Sequence, residues 1–364
     1  MYNRLTDLNL LYDAFQKCIK GVSWKCSIQR YEANVLVELM KIRESLLNHT
    51  YRQKAFFEFD INERGKHRHI KSLHISDRVL QRNLCDNILI PCLYKELIYD
   101  NGASVKGKGI EFTRNRFIAH LQKFYRRHGN KGYILLVDFS KFFDSIPHEQ
   151  LMEMLREKIP DKEVLDLIEY LVSTFGEEKS LGIGSQISQI FGIFYPTRLD
   201  NYIKIVKGCK YYGRYMDDFY IIHEDKAYLK NLLIEIRKIA GDMGLTINEH
   251  KTQICRIDKG FIFLKTYYFM TDTGKIVKRP CKKNVTRERR KLKKLKTKMD
   301  YGEAYFDDIY QSYKSWRGSI KKYNSYYTIQ NMDRLFGELY GEQIYAECKS
   351  LKSKRREENS GRIF

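Results

Sequence analysis

Residues 210–222 read Lys210-Tyr-Tyr-Gly-Arg-Tyr-Met-Asp-Asp-Phe-Tyr-Ile-Ile222, two short aromatic and β-branched runs that meet at Met216-Asp217-Asp218. Such runs predict two strands, over 210–215 and 219–222, folded back as a hairpin with two acids at its tip. A second stretch has the same character. Gly132-Tyr-Ile-Leu-Leu-Val-Asp138 is an apolar run short enough for a buried strand, and again a carboxylate ends it. A carboxylate at the end of an apolar strand is expensive to bury unless it is paired or metal-bound. Adjacent acids in a tight turn repel each other, and a divalent cation removes that cost. Asp138, Asp217 and Asp218 are therefore the candidates for phosphoryl-transfer chemistry, which uses two cations about 3.5–4 Å apart to activate an attacking oxygen and steady a leaving group. Mg2+ suits such a site, with Mn2+ as a substitute, because it takes a few carboxylates and completes its octahedron with phosphates and water. The competing reading of Asp217-Asp218 is a plain hydrophilic turn. Asp144 reads as a helix-start acid rather than a third ligand.

Around these acids the pattern alternates between helix and strand. Residues 1 to about 55 read as helical, with helical spacing of apolar positions through 31–47, and basic residues cluster from Arg64 to Arg82. Further helices are expected near 79–97 and 112–128, on either side of a Gly- and Lys-rich loop at 102–109. Pro147 is expected to start a helix, and others to cover 163–175, the stretch from Gly184 to about 207, and 226–241. Strand-like segments follow at 245–248, 252–257 and 260–270. The result is an α+β domain whose sheet carries acids at strand ends. The formal charge of +21 points to a polyanionic partner, since each neutralised phosphate releases condensed counterions. The eight cysteines are dispersed, with no Cys-x-x-Cys pair and hence no zinc module in view. No apolar run approaches the ~20 residues that cross a bilayer, and the polar N-terminus lacks a signal-peptide stretch. A cytoplasmic location without membrane association is the expectation.

Tyr215-Met-Asp-Asp218 resembles the signature of reverse transcriptases, and it does not stand alone. Val137-Asp-Phe-Ser-Lys-Phe-Phe-Asp-Ser-Ile-Pro-His148 resembles their preceding acid-bearing motif. Asn248-Glu-His-Lys-Thr252 resembles the next motif, and Phe261-Ile-Phe-Leu-Lys265 the primer-grip hairpin. Lys66-His-Arg68 and Ser76-Asp-Arg78 resemble the first fingers motif, and Ser104-Val-Lys-Gly-Lys-Gly109 the second, although Val105 and Lys106 stand where that motif often has arginine. The resemblance implies a right-hand polymerase with fingers, palm and thumb. It implies metal binding at Asp138, Phe139, Asp217 and Asp218, and a general-acid lysine, Lys251, near the departing pyrophosphate. Phe143 becomes the steric gate against a ribose 2′-hydroxyl, a role compatible with its other reading as a core phenylalanine. Lys66, Arg68, Ile183, Gly184 and Gln189 become nucleotide-site residues. Arg78, Lys106, Phe263, Leu264, Lys291, Lys293 and Lys294 become template-primer contacts. For the basic positions the alternative is a solvated charged face.

Ile183-Gly-Ser-Gln-Ile-Ser-Gln189 resembles the motif that packs against the nascent base pair. Its Ile183 and Gln189, in place of the glutamine and proline usual in group II intron enzymes, resemble diversity-generating retroelement and defence-associated reverse transcriptases of bacteria. The alternative for Ile183 is simple loop packing. From Lys275 to Lys298 thirteen Lys or Arg face a single acid, Glu288, and this run is expected to form a thumb helix along the template-primer. The expected division is fingers with N-terminal helices at 1–130, palm at 131–272 with a helical insertion near 150–190, thumb at 273–345 and a basic tail at 346–364. The implied partners are an RNA template, a DNA or RNA primer and deoxynucleoside triphosphates, with a structured non-coding RNA and an accessory protein or second copy. Two other functions stay open: DNA synthesis with little or no template, and a non-catalytic, maturase-like RNA-binding factor.

Overall fold

Phe57-Glu-Phe-Asp-Ile alternates apolar and acidic residues, and the structure makes it β1 (Phe57–Glu63), paired antiparallel with β2 (Lys66–Ser72). Phe57 and Phe59 are exposed on one face, while Glu58 and Asp60 meet His69 on the other. The computed structural model describes residues 1–63 and 65–360, with the side chains of Glu63, Lys66 and 344–360 outside the described set. The basic tail expected at 346–364 and the Lys66 ammonium therefore lie outside the described side chains.

One compact unit holds Met1–His128 and Gly132–Cys255. Its N-terminal helices run Leu8–Ile19, Cys26–Ala33 and Val35–Leu47. The helical pattern expected through 31–47 is thus broken at Asn34, whose φ of −123° leaves the helix. Helix Ile75–Leu84 continues through a π-helical turn into Ile90–Leu93, and Ile110–His128 follows the glycine-rich loop.

The central sheet is built from β3 (Tyr133–Val137), then, after β4 (Phe139–Ser140), β5 (Tyr212–Tyr215) and β6 (Asp218–His223), and, after β7 (Thr246–Ile247), β8 (Gln253–Arg256). Its order is β5-β6-β3-β8, and β4 pairs separately with β7. Leu135 and Val137 of β3, and Phe219 and Ile221 of β6, join one large core with helices His148–Arg156, Lys162–Ser173, Gln186–Phe194 and Lys226–Asp242. Pro147 stands one position earlier than expected, as the N-cap of its helix.

A second unit comprises Gly129–Lys131 and the chain from Arg256. Strands β9 (Phe261–Phe263), β10 (Thr266–Met270) and β11 (Ile276–Pro280) form a sheet in the order β11-β10-β9. The basic run is therefore not helical throughout. Its first part pairs with β10, and the helix Lys282–Asp300 starts only after Pro280, which cannot donate to an i−4 carbonyl. That helix buries Leu292 against Ile309, Tyr313, Met332, Phe336 and Tyr340 of helices Phe306–Ile320 and Tyr326–Ser360. Among the described residues, no helix is long and apolar enough to cross a membrane.

Candidate active site

Strand register brings the acids together. Val137 lies opposite Phe219, so Asp138, one residue beyond, comes beside Asp218, one residue before. Tyr215 pairs with Asp218, which leaves Met216 and Asp217 as a two-residue turn. Such turns need positive φ, and Met216 adopts +57°, an uncommon conformation for a side-chain-bearing residue. Asp138 is buried at 5% exposure. Burial raises the Asp218 carboxyl to about 7, helped by the Asp217 and Asp138 carboxylates and opposed by Lys251.

Lys251 comes from the turn between β7 and β8. Its ammonium lies 2.5 Å from Asp138 Oδ1, and the Asn248 amide donates to the same oxygen at 3.3 Å. The main chain fixes this arrangement, because Asn248 N donates to the Asp138 carbonyl at 2.8 Å and Phe139 pairs with Ile247. Among the described residues no group of three or more His, Cys, Asp or Glu side chains is arranged to hold a metal ion as it stands. The ammonium is the cation that Asp138 holds. The donor set nevertheless fits a hard dication: three carboxylates at adjacent strand ends, one with its proton affinity raised by burial and by the other two.

A buried polar layer braces the turn. Arg214 of β5 and Asp200 form an ion pair at 2.6 Å with side-chain exposures of 1% and 0%. The guanidinium also donates to the Met216 carbonyl at 3.1 Å and the Ile193 carbonyl at 2.8 Å, and the Tyr212 hydroxyl donates to Asp200. Beside it, Asp100 takes Arg116 at 2.6 Å and Lys204 at 3.0 Å, and lies 3.6 Å from His120. Burial lowers the His120 imidazole to about 4 despite the Asp100 carboxylate. Sequence reasoning passed over these residues. One signal was present: an arginine inside the strand-forming run Tyr212-Gly-Arg-Tyr215 calls for a buried acid.

The other expected residues fall into three groups. Phe143 is half-buried on the short helix Phe142–Ser145, and its carbonyl accepts from Leu181 at 2.9 Å. The Ile183 carbonyl accepts from Lys71 of β2 at 3.0 Å, and Gln189 is exposed with its amide oxygen 3.5 Å from Ser104 Oγ. Arg68 is exposed on β2 opposite Ile61, Arg78 donates to Ser72 at 2.7 Å, and Lys106 is exposed in its loop. In the second unit, Phe263 and Leu264 are buried at the β9–β10 turn, where Leu264 and Lys265 both have positive φ. Lys291, Lys293 and Lys294 are exposed on helix Lys282–Asp300, with Lys291 bonded to Ser312 at 2.5 Å.

Residues 58–268 match the family described as reverse transcriptase (RNA-dependent DNA polymerase). The chain belongs to the reverse transcriptase family. Its mixed helix-and-sheet architecture is that of a right-hand polymerase. Reverse transcriptase domains generally use divalent metal ions, and members of the family bind RNA templates. The COX1/OXI3 intron 2 protein of Saccharomyces cerevisiae is 33% identical over 119 residues, which are 30% of this chain and 14% of that protein. Most of that relative's length therefore has no counterpart in the match. Solved telomerases from Candida albicans, in a complex with a telomeric RNA fragment, and from Candida tropicalis are each 14% identical, with TM-scores of 0.48 and 0.45. Each match covers 62% of this chain, and 45% and 47% of the respective telomerase chains.

Proposed function

We propose that this member of the reverse transcriptase family is an active RNA-directed DNA polymerase, extending a primer by two-metal nucleotidyl transfer with Mg2+. The observation that carries this is the register that sets Asp138 beside Asp218 at the Asp217 turn, with the Asp218 carboxyl raised by burial and by both neighbouring carboxylates. When bound, the ions supply Lewis acidity toward the primer 3′-oxygen and neutralise charge on the departing pyrophosphate. Asp138, Asp217 and Asp218 hold them, together with the backbone at Phe139. Lys251, whose side chain is 47% exposed, keeps Asp138 in place and serves as proton donor to the leaving group. Phe143 excludes the 2′-hydroxyl. Lys66, Arg68 and the Ile183–Gln189 segment hold the nucleotide and nascent pair. Arg78, Lys106, the Phe263-Leu264 turn and Lys291, Lys293 and Lys294 hold template and primer. Ile183 and Gln189 favour a role in a bacterial or phage retroelement or antiviral defence system. Isoleucine offers the nascent pair shape without a hydrogen bond.

The test is primer extension on a defined RNA, with the products sequenced. Template-matched DNA that disappears in Asp217→Asn supports the reading. Homopolymer or random DNA would overturn template direction, and equal extension by the variant would overturn the site. Mn2+ binding followed by electron paramagnetic resonance gives a readout independent of turnover, and Asp138→Asn should weaken it.

A further inference from the structure

Helix Gln186–Phe194 is buried along most of its length, and Gly192 sits in its last turn. A glycine inside a helix costs about 1 kcal/mol against alanine, so its presence asks for a reason. Backbone conformation is not that reason, because Gly192 does not adopt positive φ. Space is. A Cβ at Gly192 would stand 2.9 Å from Cε1 of Phe143 and 3.3 Å from both Cζ of Phe143 and Sδ of Met216. The first distance is shorter than real Cβ atoms tolerate, so the ring would have to move.

The same helical turn also reaches the catalytic hairpin. The Ile193 carbonyl accepts from Arg214, and that guanidinium donates to the Met216 carbonyl. One turn of helix thus seats the Phe143 ring through a missing methyl and ties down Met216 through a buried arginine. The main-chain bond from Leu181 N to the Phe143 carbonyl, at 2.9 Å, fixes the backbone of the ring-bearing residue. Displacement is left to the side chain.

We infer that Gly192 is a specificity-determining residue of the nucleotide site: its missing Cβ is the seat of the Phe143 ring and sets how far that ring stands under the incoming sugar. The inference rests on the proposed polymerase function and on Phe143 acting as the sugar gate. Gly192 touches no substrate and acts through Phe143. An added methyl drives the ring off the helix toward the sugar, crowding even the correct nucleotide.

The experiment is a double-mutant cycle of Gly192→Ala and Phe143→Ala in the full chain, read two ways. In single-nucleotide incorporation, Gly192→Ala should raise the deoxynucleotide KM about five- to tenfold with kcat within about twofold, as small overpacking displaces a positioned group. In the Phe143→Ala background the same change should leave KM unmoved. In thermal unfolding, which needs no activity, Gly192→Ala should lower Tm when Phe143 is present and raise it when Phe143 is alanine. Equal effects in both backgrounds would overturn the inference. A reversal in Tm with an unchanged KM would also overturn it, because the seat would then hold the ring without governing the sugar. An unchanged ribo-to-deoxynucleotide ratio in Phe143→Ala would remove the gate itself, a separate failure from absence of coupling to Gly192.

Discussion

Asp200 and Asp138 each hold a cationic side chain in the same central sheet region, and their surroundings differ. The Arg214–Asp200 pair has exposures of 1% and 0%, and the arginine makes further bonds to two carbonyls. The Lys251–Asp138 pair has exposures of 47% and 7%, and its ammonium sits on a long, half-solvated stem. Guanidinium geometry lets the first pair satisfy several acceptors at once, whereas an ammonium on Asp138 is a point charge that solvent or another cation can replace. The fixed pair keeps the backbone of the turn in shape, and the replaceable pair keeps a charge in balance where chemistry is proposed. A buried ion pair is thus no guide to a reacting site until its exposure is known.

Substitutions can break or sharpen that contrast. The largest effect is expected at the replaceable side. Asp138→Asn or Asp217→Asn should cut single-turnover incorporation by roughly a thousandfold or more, with Tm nearly unchanged in a parallel thermal scan. Next comes the fixed pair, where Arg214→Ala strands the buried Asp200 carboxylate and should cost about 3–5 kcal/mol in denaturant unfolding. If Arg214→Ala unfolded no more easily than Lys251→Ala, the distinction between the two pairs would be lost.

His120 offers a pH test of the same buried layer. Its folded pKa is lowered to about 4 by burial, below the ordinary 6.5. Between those values the unfolded chain binds a proton that the folded chain does not. The His120 contribution to stability should therefore fall as pH drops from about 6.5 to 4, by on the order of 3 kcal/mol, while the raised Asp218 carboxyl contributes in the opposite sense. The difference in urea-measured stability between the unaltered chain and His120→Gln should shrink by that amount as pH drops across the window. The lowered Asp100 carboxyl acts in a more acidic range, its contribution disappearing only as pH falls below the usual aspartate value. Lys251→Met should leave stability within about 1 kcal/mol while slowing incorporation roughly a hundredfold, measured by rapid quench. The smallest change per residue belongs to the exposed lysines. Replacing Lys291, Lys293 and Lys294 by glutamine should flatten the log-log salt dependence of template-primer binding by about 0.7–0.9 for each phosphate that is no longer neutralised.

Much of the central sheet was legible because local signals agreed: apolar runs of strand length, each ended by an acid, with turn residues between. The β1–β2 hairpin was not, although Phe57, Phe59 and Ile61 alternate with Glu58 and Asp60. Its second strand, Lys66-His-Arg-His, carries too few apolar residues to show a buried face. Strand β11 was hidden inside the Lys275–Lys298 run because charge says nothing about period, while Pro280 marked the boundary. The acids at 138, 217 and 218 were readable from strand ends. The Arg214–Asp200 and Asp100–His120 pairings were not, since partners 14 and 20 residues apart are joined by tertiary packing alone. Gly192 could not be weighed either, because a missing methyl has meaning only once Phe143 and Met216 are seen beside it.

The junction between residue 183 and β2 limits how this protein can change. The Ile183 carbonyl is bonded to Lys71 N at 3.0 Å, a link made by main-chain atoms and so indifferent to which side chain residue 183 bears. The next position has no such freedom. Gly184 has φ of +127°, and a Cβ there would lie 2.7 Å from the Lys71 carbonyl oxygen. Evolution, or an engineer, can therefore exchange the side chain at 183 without unseating the loop, while 184 stays glycine. Tolerance and constraint thus sit at adjacent positions: the main-chain link holds whatever side chain residue 183 bears, and residue 184 must lack a Cβ.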